Sequence, residues 1–343
     1  MTATMTRVVA PRDAERLDRV LAPVRQELES VTDRLLSQLT DPVARTVVYL
    51  ITAGGKRLRP AMVLLAGAAG TSPNDPALID TAAAVELIHT ATLIHDDIID
   101  QSPLRRSHPA FHHQWGTERA VLMGDYLYAT AFTMLARLDQ PAVMQIMADV
   151  CRQLCRGELR EVEARFRLDL TEPEYFAIIE DKTGSLIGGC CRCGAHLGGC
   201  ASDAVERLGR FGTTFGLVFQ IIDDCLDLTG DQAEVGKPLL ADADKGVLSL
   251  PLIYLTQALS ARERAKLFAP LARAQKTPGL RGMDQASLRR VAKAAQESGA
   301  IDRATERARV LMQEANGLLA GVPMNGLTET YQQLADYAVT RRS

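Results

Sequence analysis

His89-Thr-Ala-Thr-Leu-Ile-His-Asp-Asp-Ile-Ile-Asp-Gln-Ser-Pro-Leu-Arg-Arg106 is the stretch around which the rest of this 343-residue chain makes sense. An apolar run without glycine or proline, Thr81 to Ile94, leads into it and predicts a helix. Asp96, Asp97 and Asp100 end that helix at i, i+1 and i+4. Positions i and i+4 share a helical face, so Asp96 and Asp100 point the same way with Asp97 beside them. Three like charges so close repel one another, and a hard divalent cation relieves the repulsion. Mg²⁺ suits such a cluster, because it takes a few carboxylates together with water and phosphate oxygens. Taken alone, the triplet also reads as a solvated acidic helix end. It is not alone: Phe219-Gln-Ile-Ile-Asp-Asp-Cys-Leu-Asp227 places Asp223, Asp224 and Asp227 in the same pattern after a second apolar run. Two such helices facing each other could hold several cations over one anionic ligand, and a diphosphate is the obvious one.

The remainder of the chain predicts an all-α protein. Apolar residues make up 47% of it while aromatics supply only 5%, and abundant Ala and Leu favour helix over sheet. Residues 12–38 carry a 3.6-period apolar pattern and predict an N-terminal amphipathic helix packing on the core or on a dimer partner. Asp41-Pro42 opens a second expected helix that ends before Gly54-Gly55; others are expected at 60–69, after the loop 71–76 up to the first aspartate cluster, and at 116–138, 141–166, 172–181, 183–199, 202–228, 248–258, 260–269, 284–297, 300–319 and 326–341. Residues 103–113 read as irregular, and no linker separates two cores, so a single domain over 1–343 is expected. A net charge of −3 and no arginine-rich tract exclude nucleic-acid binding. No signal peptide or bilayer-length apolar stretch stands out, which predicts a cytoplasmic protein. Cys190, Cys191 and Cys193 fall in an apolar, glycine-rich helical run without a second knuckle, and read as small buried hydrophobes rather than a zinc site.

Fixed cations accompany the carboxylates. Lys56, Arg57 and Arg59 lie in the turn Gly54-Gly-Lys-Arg-Leu-Arg-Pro60, and Arg105 and Arg106 follow the first cluster. Arginine grips phosphate bidentately, so these are anion-site candidates, although surface solubility explains either group taken singly. His89 sits two turns before Asp96 on the same face; by itself it reads equally as a core histidine. Residues 230–237 fail as a phosphate loop because the spacing is off by one and Pro238 stands where a hydroxyl must hold the metal. Residues 242–246 fail as a calcium loop for want of a third oxygen ligand and the closing Glu.

Taken together, these motifs resemble the trans isoprenyl diphosphate synthases of the polyprenyl synthetase family. The likeness runs from Gly54 to Arg341, with both Asp-Asp-x-x-Asp clusters, Arg105-Arg106, Gly124-Asp125, Lys182-Thr183, Phe219-Gln220 and Gly236-Lys237 in the family's order. It implies the all-α isoprenoid synthase fold, with roughly ten core helices around a deep central cavity, and usually a homodimer. It also implies head-to-tail condensation of isopentenyl diphosphate onto an allylic diphosphate primer, with Mg²⁺ as cofactor, three ions per site in the family's pattern. The metal ligands carried over are Asp96, Asp100 and Asp223, supported by Asp97, Asp224 and Asp227. Arg105, Lys182 and Lys237 match residues that hold the allylic diphosphate. Lys56, Arg59, His89 and Arg106 match those that hold isopentenyl diphosphate, and Thr183 and Gln220 match polar groups near the developing cation. The resemblance also implies that the released diphosphate serves as proton acceptor; separately, a transient contact with a membrane is expected for release of the apolar product.

Three departures stand out: Val247 where short-chain relatives usually carry lysine, Gly184 in place of alanine after Lys182-Thr183, and the cysteine cluster. A terpene cyclase of the same fold, or a subunit that kept the fold and lost the chemistry, would not need both aspartate clusters and the Lys56/Arg59 group. Product length is read from the helix before Asp96. Thr92, Ala91 and Ile88 line one strip of it, with Leu87 and Ala84 further down, and no aromatic residue closes the strip. From Asp96 to Ala84 that strip spans about 18 Å. In the family an aromatic residue at these positions stops growth early, so the resemblance implies a product of roughly C30 to C50, with the open wall as physical support at roughly 0.8 kcal/mol per buried CH₂, unless Tyr128, Met144 or Met147 closes the cavity higher up.

Overall fold

The computed structural model describes residues 11–52, 55–106, 108–229, 243, 245–275 and 283–342, and nearly all their regular structure is helical. In chain order the helices are α1 (Pro11–Val20), α2 (Arg25–Gln38), α3 (Val48–Thr52), α4 (Leu58–Ala68), α5 (Pro76–Ile99), α6 (Phe111–Trp115), α7 (Thr117–Ala136), α8 (Pro141–Ala164) and α9 (Glu172–Ile179). They continue as α10 (Ser185–Leu197), α11 (Ser202–Thr229), α12 (Leu250–Ala258), α13 (Ala261–Leu267), α14 (Ala269–Gln275), α15 (Gln285–Glu297), α16 (Ala300–Leu318) and α17 (Thr328–Thr340). Contacts cluster into two compact units. The first is Met1–Asp149, Ile187–Gly212 and Leu319–Leu334; the second is Val150–Leu186, Thr213–Leu318 and Ala335–Ser343.

The first unit is built on α5. Asp75 caps it, accepting from the Ala77 N–H at 2.8 Å, and Pro76 fills the first turn, where no N–H is needed. Leu78 and most residues from Thr81 to Ile94 are buried on every side, because α7, α2 and α4 cover the helix. An all-round apolar helix belongs in a core. By length and composition alone α5 could cross a bilayer, which departs from the sequence expectation that no stretch could; 67% of its most apolar window lies inside the protein. Gly124 lets α7 approach α5, since a Cβ there would strike the imidazole of His95.

Local chemistry accounts for two departures from expectation. The predicted helix over 12–38 breaks at Ala22–Val24, a single 3₁₀ turn, because Pro23 has no N–H to give the helical ladder. The stretch read as irregular after Pro103 contains a two-residue antiparallel pairing, Leu104–Arg105 with His108–Pro109, followed by α6. Cys190, Cys191 and Cys193 are fully buried in α10, as expected of core residues. Burial pushes their thiols up, Cys191 and Cys193 to about 12, so none offers a thiolate at neutral pH.

In the second unit α12 packs on α16, with α15 and α9 alongside. The expected boundary between helices at 181–183 is instead a π-turn, Glu180–Gly184, that carries the chain from α9 into α10 without a break. Buried Asp181 fixes this turn: Arg156 Nε and Nη2 reach it at 2.8 and 2.5 Å, and Arg160 Nη1 at 2.6 Å. Glycine fits it against α11, since a Cβ on Gly216 would lie 2.8 Å from Gly184 Cα. At Gly184 itself a Cβ would lie 3.1 Å from the Thr213 carbonyl oxygen, a tight fit that favours glycine. π-Turns commonly mark functional sites, and this one carries Lys182 and Thr183.

Candidate active site

The first aspartate cluster terminates α5, and its three carboxylates have different fates. Asp97 is 1% exposed and takes the fork of Arg105, with Nε at 3.0 and 3.2 Å from its two oxygens and Nη2 bonded to Oδ1. Burial opposes the Arg105 charge, but the bonds to Asp97 outweigh it and leave the guanidinium pKa raised. Asp96 and Asp100 stay partly exposed, and the Asp100 N–H caps α5 on the Asp96 carbonyl at 2.8 Å. A helix turns about 100° per residue, so i and i+4 flank one surface strip, and here the packing turns i+1 inward.

Beside this cluster lies a basic group. Arg57, in a left-handed turn, donates 2.7 Å bonds to buried Glu86 of α5 and to the Ile51 carbonyl, which pins the loop before α4. Arg59 Nη1 donates to His89 Nε2 at 3.1 Å, so that nitrogen is an acceptor and the ring is neutral. Burial and then Arg59, Arg106, Arg105 and Arg57 push the His89 pKa well below its usual value. Arg106 bonds the Leu50 carbonyl at 3.3 Å and, with Arg105, Leu50, Thr90 and Leu93, lines a small cleft. Lys56 is partly exposed in the same turn. On the strip below, Ile88, Ala91, Leu87 and Ala84 are fully buried, and Thr92 is partly exposed with its hydroxyl on the His89 carbonyl at 2.7 Å.

The second cluster repeats the division with other partners. Asp224 is 5% exposed and accepts from the Tyr175 hydroxyl at 2.6 Å and from Gln220 Nε2 at 2.9 Å. Gln220 Oε1 accepts in turn from Thr183 Oγ1 at 3.2 Å, so a line of hydrogen bonds joins the π-turn to the cluster. Lys182 Nζ sits between Glu158 at 2.7 Å and Glu161 at 2.6 Å. Asp223 is 46% exposed and pairs with Arg341 Nη1 at 2.7 Å, while Asp227 is partly exposed. Lys237 lies outside the described residues.

Sequence reasoning missed Glu158, Glu161, Tyr175 and Arg341. The glutamates had a signal, being three residues apart on α8 and so on one face. Tyr175 and Arg341 had none, because their partners come from distant parts of the chain. The accessible carboxylates of each cluster, Asp96 and Asp100 in the first and Asp223 and Asp227 in the second, are hard oxygen donors, and each pair suits Mg²⁺ or Ca²⁺ rather than a soft metal.

The polyprenyl synthetase family profile matches residues 40–279. Heptaprenyl diphosphate synthase component 2 of Geobacillus stearothermophilus is 36% identical over 317 residues, 92% of this chain and 94% of the relative. Geranylgeranyl diphosphate synthase of Methanosarcina mazei is 39% identical over 210 residues, 60% of this chain and 64% of the relative. Among solved structures, the polyprenyl synthase of Caulobacter crescentus, complexed with calcium and isoprenyl diphosphate, superposes with a TM-score of 0.88 at 33% identity, covering 96% of this chain and 98% of that one. Carrying both aspartate clusters on the isoprenoid synthase fold, the chain belongs to the polyprenyl synthetase family and is a trans-polyprenyl diphosphate synthase.

Proposed function

We propose that the chain extends an allylic diphosphate with isopentenyl diphosphate, using Mg²⁺, to a product of roughly C30 to C50, the wall of small side chains being worth roughly 0.8 kcal/mol per buried CH₂. The observation that carries the reading is the repeated cluster, in which the middle aspartate is tied inside while its neighbours turn outward. Asp96, Asp100 and Asp223 would hold Mg²⁺, three ions in the family's pattern, with Asp97, Asp224 and Asp227 in support. When bound, Mg²⁺ supplies positive charge against a diphosphate that becomes more negative as its C–O bond breaks.

The protein side chains do the rest. In the first unit Lys56, Arg59, Arg106 and neutral His89 would take isopentenyl diphosphate, and Arg105 the allylic diphosphate. His89, as an acceptor for Arg59, aims that guanidinium. In the second unit Lys182 would bind the allylic diphosphate, with Lys237, once it leaves its glutamates. Thr183 and Gln220 present oxygen dipoles towards developing positive charge. The C–O electron pair leaves with the diphosphate, the new C–C bond forms from the double bond of isopentenyl diphosphate, and the released diphosphate takes the lost proton.

Thr92, Ala91 and Ile88 set product length in this reading, and the heptaprenyl relative supports a long product. A C20 product is the second reading, favoured by the complete burial of Ile88 and Ala91 and by the geranylgeranyl relative. Chromatography of the dephosphorylated product decides between them. A main product beyond C20 that shortens in Ala91→Phe supports the proposal, and one of C20 or less overturns it. We place the enzyme in the cytoplasm as a homodimer that meets a membrane to release product. The relative's description as a component keeps a second type of subunit as the alternative; activity of the purified chain alone excludes that requirement.

A further inference from the structure

Arg341 has no place in the scheme above, yet its surroundings are more constrained than those of most residues in it. Its side chain is 0% exposed, although it belongs to a short polar run, Thr340-Arg-Arg342, at the end of α17. Three contacts hold the guanidinium. Its carbon lies 3.8 Å from the centre of the Phe219 ring, Nη2 donates to the Phe219 carbonyl at 2.7 Å, and Nη1 pairs with Asp223 Oδ1 at 2.7 Å. Phe219 itself stacks on Phe215, one turn back on α11, with ring centroids 6.2 Å apart. A buried cation is costly unless it is paired; Nε and Nη1 make no hydrogen bond, so the ion pair with Asp223 and the Nη2 bond are what offset burial of this guanidinium.

The closest approach of the ion pair is to one oxygen, Oδ1. Asp223 is 46% exposed, and Arg341 is its sole ion-pair partner among the described residues, through Oδ1. We propose that Arg341 is a positioning residue for metal binding: it anchors Asp223 Oδ1 and so presents Oδ2 in one orientation to a divalent cation. The inference rests on the proposed role of Asp223 as a metal ligand. Outer partners of metal-binding carboxylates act in this way, and their loss commonly weakens metal binding about 10–100-fold. Arginine suits the task better than lysine, because its planar fork stacks on a ring while Nη2 bonds a carbonyl and Nη1 faces a carboxylate.

Calorimetric titration of Mn²⁺ into the full-length protein with inorganic diphosphate present tests this, alongside steady-state kinetics. Arg341→Gln should weaken Mn²⁺ about tenfold and raise the Mg²⁺ needed for half-maximal rate, while KM for isopentenyl diphosphate stays unchanged. Arg341→Lys keeps a cation in the space but cannot make all three contacts, and should fall between wild type and Arg341→Gln. It also serves if Arg341→Gln does not fold. Asp223→Asn separates this inference from the reading beneath it. If Asp223→Asn weakens Mn²⁺ and neither Arg341 variant does, the positioning role is wrong. If Asp223→Asn binds Mn²⁺ as wild type does, the metal-ligand reading fails and takes this inference with it. Tighter Mn²⁺ binding in Arg341→Gln would also overturn the proposal, since the arginine would then oppose the cation rather than prepare its ligand.

Discussion

Two helices in this protein end in the same five-residue pattern, and the protein anchors them by different physics. On α5 the inner aspartate, Asp97, is held by a charge: Arg105 engages both of its oxygens. On α11 the inner aspartate, Asp224, is held by neutral donors, the Tyr175 hydroxyl and the Gln220 amide. The outer aspartates behave alike in both, remaining partly or largely exposed at positions i and i+4. Helix geometry puts i and i+4 on one face, and in both helices the packing turns i+1 inward. The differing part follows from what each unit packs against that inner position. The first cluster stands beside a group of arginines, so its negative charge is already balanced on one side. The second has its buried carboxylate solvated by dipoles and a single arginine on its outer Asp223.

If the outer aspartates are equivalent across the two clusters, removing either should have the same large effect. Asp96→Ala and Asp223→Ala are each expected to lower kcat by ~10²–10³-fold or more, the usual scale for losing a preorganised electrostatic contact to developing charge. Far-ultraviolet circular dichroism should stay at the wild-type level. Near-normal turnover at saturating Mg²⁺ in one variant but not the other would break the equivalence.

The inner aspartates should differ. Asp97→Ala leaves a mostly buried arginine without its partner, a change that typically costs ~3–5 kcal/mol of stability. Asp224→Ala strands only a hydroxyl and an amide, for which ~1–3 kcal/mol is the expected scale. Urea unfolding of the two variants measures the contrast, and equal losses would show that charge and dipole anchoring are interchangeable here.

A smaller effect separates the neighbourhoods by pH. The folded-state pKa of His89 lies well below the ordinary 6.5, because of burial first and four arginines after it. As pH falls below 6.5 the unfolded chain binds a proton at this position that the folded chain refuses, so stability declines until the lowered folded value is reached. Above 6.5 the group contributes no pH dependence. The urea midpoint of wild type should therefore drop between pH 8 and 5.5 by more than that of His89→Gln, and parallel pH curves would refute the linkage.

How far the chain's chemistry is legible without coordinates depends on how far apart the interacting residues stand. The all-helical class, the core helix α5 and both aspartate clusters are local facts, readable from apolar runs and i, i+4 spacing. So is the family, because its motifs are short and ordered along the chain. The glutamate pair that holds Lys182 was available to the same reasoning. What local spacing could not show is which carboxylate each helix turns inward, since a triplet on an amphipathic boundary has no face until neighbours pack against it. Pairing, too, was beyond it: no spacing rule shows that Arg105 is bonded to Asp97.

The sequence by itself therefore determined the helices, the two acidic helix ends and the prenyltransferase family, because periodicity and motif order are properties of the chain. The tertiary structure alone decided the π-turn under Lys182 and the partners of Asp97, Asp181 and Asp224. Arg341 meets Phe219 at a separation of 122 residues. No periodic pattern reaches that far; only the packing of helices, which buries one face of each and forces its polar groups to find partners, brings such residues within bonding distance.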